Sequence, residues 1–200
     1  MKIIDEEQFD VVVHAWLKAE WVKHQYDHHF PQLQSLIDSP DFNNQQHNDI
    51  RLQLLQQARG NILMHIPTGT RWYVATYEPE DLSRTYHIAS GDWLPITSGN
   101  YRATSVLLNF DSDHDHASWI RQVHATLPNA DMDTMPIVVA TSLESPMSIL
   151  EGNHRAAALL KYDEANPSAR LLTQVHIGLS PNMSQNSWHI EHPRSAHLIN

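Results

Sequence analysis

The chain has 200 residues, no cysteine, and 23 acidic against 13 basic side chains, a formal net charge of -10 with histidine neutral. The length suits a single domain that buries its core without covalent staples, and the missing cysteines exclude disulfides, thiolate metal sites and cysteine nucleophiles. A nucleic-acid backbone is a disfavoured ligand, because it calls for a basic stripe that is not visible here. The start, MKIIDEEQFD, is acidic within five residues, unlike a secretory leader. The apolar runs at 137–140 and 156–160 are far too short to span a membrane, so the expectation is a cytoplasmic protein.

Residues 6–38 read as helical, because Phe9, Val12, Val13, Trp16, Leu17 and Trp21 recur at three- and four-residue intervals. Pro31 interrupts this run, and a short helix follows through Leu33, Leu36 and Ile37. After a polar break at 39–44, a second helix covers 49–59 and stops at Gly60. The period then changes. Residues 62–66 and 71–77, joined by a turn at 67–70, predict two strands of a hairpin. Residues 105–110 form a candidate strand that ends in an acidic turn at 111–113, and 117–127 form a helix stopped at 128–131.

The last third carries the clearest pattern: strands at 136–141 and 147–151, a sharp turn at Gly152-Asn153, a helix over 154–162, and a strand over 171–179. The expected fold class is therefore mixed α/β (α+β), a small mixed sheet in one domain. It has a helical N-terminal extension over 1–60, a core over 61–180 and a polar tail over 181–200.

The strand–glycine–helix segment is the sharpest chemical feature. Free N–H groups at a helix start favour an anion, and the helix dipole adds to that preference. Asn153 is a natural cap, His154 offers an acid–base group, and Arg155 in the first turn has a guanidinium suited to phosphate or carboxylate. An ordinary capped helix, with Arg155 paired to Glu151 or Asp163, is the structural alternative.

The run Pro136-Ile137-Val138-Val139, followed by Ser148-Ile149-Leu150-Glu151-Gly152-Asn153-His154-Arg155-Ala156-Ala157-Ala158-Leu159, resembles the core of the ParB/sulfiredoxin-like superfamily over residues 118–179. The resemblance implies a turn that binds nucleotide phosphates, with Gly152, Asn153, His154 and Arg155 as contacts. Members include CTP-binding partition proteins, sulfiredoxins and a free-serine kinase. Asn153 stands where sulfiredoxins carry cysteine, which removes sulfinic acid reduction. About forty residues follow the helix, too few for the DNA-binding domain of the partition proteins. Glu144 and Glu151 are the nearest candidates for a catalytic acid.

Three further features bear on this expectation. Arg102 is a candidate second phosphate clamp, and Trp93, on a loop after Ser90-Gly91-Asp92, a candidate stacking platform for a base. Asp113, His114 and His116 lie in a segment of three carboxylates and two imidazoles, a candidate cation site that would bring Mg2+ to the nucleotide; helix capping is the plainer role. The functional expectation is thus a nucleotide-binding protein taking ATP or CTP with Mg2+. It acts as a phosphotransferase or nucleotide hydrolase on a small molecule, with Glu151 and His154 catalytic. The alternatives are a non-catalytic module for a nucleotide or another anionic metabolite and, more weakly, a nucleic-acid-binding or nuclease-like protein.

Overall fold

The computed structural model describes residues 1–24, 26–127, 135–186 and 189. The stop at 128–131 and most of the tail, 187–188 and 190–200, lie outside the described residues. Six strands form one mixed sheet: β1 (Lys2–Glu7), β2 (Arg71–Thr76), β3 (Thr85–His87), β4 (Ile137–Ala140), β5 (Met147–Glu151) and β6 (Gln174–Leu179), in the order β1-β2-β6-β4-β5-β3. Pairs β1/β2, β2/β6 and β4/β5 are antiparallel, while β4/β6 and β3/β5 are parallel.

The described residues also form seven α-helices: α1 (Phe9–Lys23), α2 (Tyr26–His29), α3 (Ser35–Asp38), α4 (Gln45–Leu63), α5 (Ala103–Leu108), α6 (Asp115–Thr126) and α7 (Asn153–Ala165). Short 3-10 turns at Pro31–Leu33, Pro79–Arg84, Gly91–Trp93 and Pro181–Gln185 complete the described elements. No helix among them is long and apolar enough to cross a membrane.

Strand position explains strand composition. The central strand β4 is buried along its whole length, so it reads as a continuous apolar run rather than an alternation. Strand β1 lies at an edge, with Lys2, Asp5 and Glu6 exposed and an irregular register between Ile3 and Asp5, features that discourage edge-to-edge pairing. One core runs from Val12 and Trp16 of α1 through β4 and β5 to the buried face of α7 and Met183. The alanines at 156–158 are all buried, and their small side chains suit the close packing of α7 against α6. Between β2 and β6, Gly178 is paired with Trp72, and a Cβ there would stand 2.8 Å from the indole Cη2.

Four expectations are corrected. Residues 62–66 are not a strand. Helix α4 runs through Gly60 to Leu63, although Arg59, at φ -136° and ψ 21°, breaks its regularity one residue before the expected stop. Strand β2 therefore belongs to no hairpin: its antiparallel neighbours are β1, from the start of the chain, and β6. Residues 105–110 do not form a strand either: Ser105, Val106 and Leu107 are consecutive buried positions of α5. Finally, residues 1–60 are not a purely helical extension, because they open with a strand of the sheet and α1 contributes to the common core.

Candidate functional site

Strands β3 and β5 run parallel, and the segments leaving their C-terminal ends border a cleft of about 680 Å3. That is the usual place for a ligand in an open α/β sheet, and the volume is in the range of small-molecule sites. Leu150, Glu151, Asn153 and His154 form one wall, at the β5-to-α7 turn. Ser90, Asp92 and Trp93 follow β3, His116 and Trp119 come from α6, and Lys23 and Arg59 come from α1 and α4.

The sharp turn falls at the expected glycine, but Asn153 is the first residue of α7 rather than its cap. Gly152 takes φ +80°, a left-handed conformation that side chains rarely adopt, and α7 starts at once without a side-chain cap. The guanidinium of Arg155, however, folds back over this glycine. Its Nη2 is 2.9 Å from where a Cβ of Gly152 would lie, and the Cα of Pro136 is 3.4 Å from the same point. Burial lowers the pKa of Arg155, and the charge of Glu151 opposes that shift. Arg155 therefore braces the turn and does not line the cleft; nor does Gly152. The structure places neither expected phosphate contact on the cleft: the missing Cβ makes room for the protein's own arginine.

Asn153 and His154 do reach the cleft, held by a column of rings. Trp93 stacks on His87 at 4.2 Å and 4° between planes, and on His116 at 4.4 Å and 10°. Two imidazoles parallel and this close to one indole must occupy opposite faces. Trp93, 5% exposed, therefore has neither face left for a base, which corrects its expected stacking role. Trp119, half exposed and set edge-on to His116 and His154, presents the open indole instead.

Hydrogen bonds hold the rings in place. His87 Nδ1–H donates to Asn153 Oδ1 at 2.9 Å, the amide orientation that also lets Asn153 Nδ2 donate to the Ile149 carbonyl at 3.3 Å. His116 Nδ1 and His154 Nε2 share a hydrogen bond of 2.7 Å, one ring donating and the other accepting. Burial pushes His87 down to about 3 and His154 to about 4, with neighbouring imidazoles adding to both shifts. His116 moves in the same direction, burial first and His114 second. Near neutral pH the column is uncharged. The expected catalytic His154 is thus a neutral hydrogen-bonding group rather than a proton-donating imidazolium.

The carboxylate side of the cleft is less visible in the sequence. Glu151 lies at the end of β5, and its pKa is raised, first by burial and then by the charge of Glu20 on α1. Glu20, 1% exposed, meets Arg59 Nε at 2.7 Å, His24 Nε2 at 3.0 Å and Lys23 Nζ at 3.7 Å. The irregular backbone at Arg59 lets the end of α4 turn this side chain toward α1. Sequence reasoning missed Glu20, Lys23 and Arg59. The i, i+3 and i, i+4 spacing of Glu20 with Lys23 and His24 was the sole local signal, and it is a common surface pattern.

Two further sets of expected residues are not brought into the cleft as a site. Arg102 stacks on Tyr86 at 5.6 Å and does not border the cleft. Among the described residues no three His, Asp or Glu side chains stand close enough to hold a metal ion. Asp113 is exposed, His114 Nδ1 caps α6 by accepting from the His116 N–H at 3.2 Å, and His116 is committed to the ring column, so these residues do not fit a Mg2+ site. No family model, curated protein or solved structure matches the chain.

Proposed function

We propose that the protein is a nucleotide-dependent enzyme acting on a small molecule, a phosphotransferase or nucleotide hydrolase whose reaction centre is the cleft at the start of α7. One observation carries this reading: an uncapped helix N-terminus, two cationic side chains, an open indole and a half-buried carboxyl of raised pKa all border one volume of about 680 Å3. Lys23 and Arg59 would neutralise phosphate charge, and the N–H groups of the first turn of α7 would bind its oxygens. Trp119 would stack on the base, a contact worth roughly 1–3 kcal/mol for nucleic-acid bases. Glu151 would handle the proton at the reacting oxygen, since a carboxyl moved toward working pH is the more effective acid–base group. The ring column orients Asn153 and His154 and excludes water from one wall. A divalent cation would arrive with the triphosphate rather than reside in the protein. The strand pair β4/β5 followed by the glycine turn and α7 also supports the resemblance to the ParB/sulfiredoxin-like core.

Thermal melting with ATP, CTP and GTP, each with and without Mg2+, tests the reading. A nucleotide at a hundred times its dissociation constant stabilises the native state by about 2.7 kcal/mol, which for a chain of this size raises the midpoint by roughly 5–10 °C. Release of inorganic phosphate then separates turnover from binding alone. A midpoint unmoved by all three nucleotides contradicts the proposal.

A further inference from the structure

Glu20, near the end of α1, is almost fully buried, and a carboxylate so far from water persists only with charged or hydrogen-bonding partners. Its two oxygens are divided between them. Oε2 meets His24 Nε2 at 3.0 Å and Lys23 Nζ at 3.7 Å, whereas Oε1 accepts from Arg59 Nε–H at 2.7 Å. Arg59 arrives from α4 at the point where the backbone leaves the helical region, with open space beside Gly60. Among the described residues Nη1 and Nη2 of Arg59 make no hydrogen bond, and the side chain lines the cleft.

A guanidinium is a planar fork. With Nε–H taken by Glu20, the edge that carries Nη1 and Nη2 is left to make two parallel bonds to two oxygens of one oxyanion. We propose that Arg59 is a bidentate clamp for a phosphoryl group in the cleft and that Glu20 is the positioning residue that aims it. This rests on the reading of the cleft as a nucleotide site and narrows it to ligands that end in a phosphoryl group with two or more free oxygens.

Net charge does not select such a ligand. Lys23 and Arg59 are set against Asp92 and Glu151 on the cleft and Glu20 behind it, so the site holds no net positive charge and an anion gains from directional bonds instead. Lys23, its side chain 58% exposed, adds a point charge on a flexible stem. Arg59, 26% exposed and held at Nε, has less rotamer freedom left to lose when the ligand arrives.

Calorimetric titration of the intact protein with inorganic phosphate, and separately with ATP and Mg2+, tests the clamp. Arg59→Lys keeps the charge but loses the fork, and should weaken binding of both by about tenfold or more. Glu20→Gln and Glu20→Leu both remove the negative charge, but only the amide keeps an oxygen that can accept from Arg59 Nε–H. A Glu20 that merely neutralised the cleft would let both variants bind phosphate more tightly than the wild type. A positioning Glu20 makes the leucine variant weaker than the glutamine variant, again by about tenfold. Melting without ligand shows which variants fold; should Glu20→Leu not fold, Arg59→Lys carries the test. Phosphate binding that Arg59→Lys weakens, in a protein that ignores ATP, would refute the nucleotide reading and support the clamp. Equal affinity of the two Glu20 variants, ATP binding untouched by Arg59→Lys, or a wild type that binds neither ligand overturns the proposal.

Discussion

Acidification from pH 7 to pH 5 is expected to lower the unfolding free energy by about 4 kcal/mol, through histidines that the fold keeps uncharged. The sign follows from linkage. His87 at about 3 and His154 at about 4 bind protons less readily in the folded chain than an unfolded histidine at about 6.5. As pH falls below 6.5 the unfolded state gains protons that the native state refuses, so stability drops until the folded pKa values are reached. At pH 5 the gap is about 1.5 units, or about 2 kcal/mol for each of these residues. His189, pushed by burial to about 4, acts in the same direction. Glu151 acts against them: its raised pKa means that the native carboxyl takes up a proton more readily than the unfolded one, which recovers part of the loss. Urea unfolding at a series of pH values measures the slope. His87→Phe keeps a ring against Trp93 but removes the titration, and should remove about 2 kcal/mol of the acid sensitivity. A variant whose stability–pH curve has the same slope as the wild type contradicts the uncharged column.

The two tryptophans of the cleft are expected to respond in opposite ways to truncation. Trp93→Ala removes an almost fully buried indole with an imidazole on each face, and should cost about 3–5 kcal/mol, the usual range for emptying a large core site. It should also lessen the acid sensitivity, because His87 and His116 would gain water on the faces that the indole now covers. Trp119→Ala removes a half-exposed ring and should cost less than about 1 kcal/mol, yet it should remove most of the nucleotide-induced thermal shift. Melting of both variants, with and without nucleotide, separates the roles. Equal destabilisation, or a full nucleotide response in Trp119→Ala, would contradict the assignment.

The strand pair, the glycine turn and α7 were legible in the sequence because each signal there is local and strong. A continuous apolar run marks buried β4, a glycine stands where the backbone turns left-handed, and a run of alanines marks a buried helix. The failures have equally local causes. Residues 62–66 are too short for their period to distinguish a strand from a last helical turn, and Met64, although apolar, is largely exposed. Val106 is β-branched and opens a short apolar run with Leu107 and Leu108 that alone does not distinguish strand from helix, and tertiary packing places it in α5. The charges of β1, a segment that was expected to belong to a helical extension, are those that suit an exposed edge strand.

The site was legible in part, for a different reason. Glu151, Asn153 and His154 belong to one turn and were found together, whereas Glu20, Lys23 and Arg59 reach it from α1 and α4 through folding alone. Arg155 shows the limit most clearly. Its spacing from Gly152 is that of an anion clamp, but the same spacing lets it lie over the glycine, and only the geometry distinguishes the two.

The claim on which the function rests is that the ligand occupies the cleft beside the start of α7 and not the corner closed by Arg155. Titration of the 15N-labelled protein with ATP, followed by NMR, tests it most directly. The account predicts saturable shifts at the Trp119 indole N–H and at the Asn153 and His154 amides, with the Arg155 Nε–H and the Arg102 amide little changed. Shifts confined to Arg155 and Arg102, or none at saturating nucleotide, would contradict it.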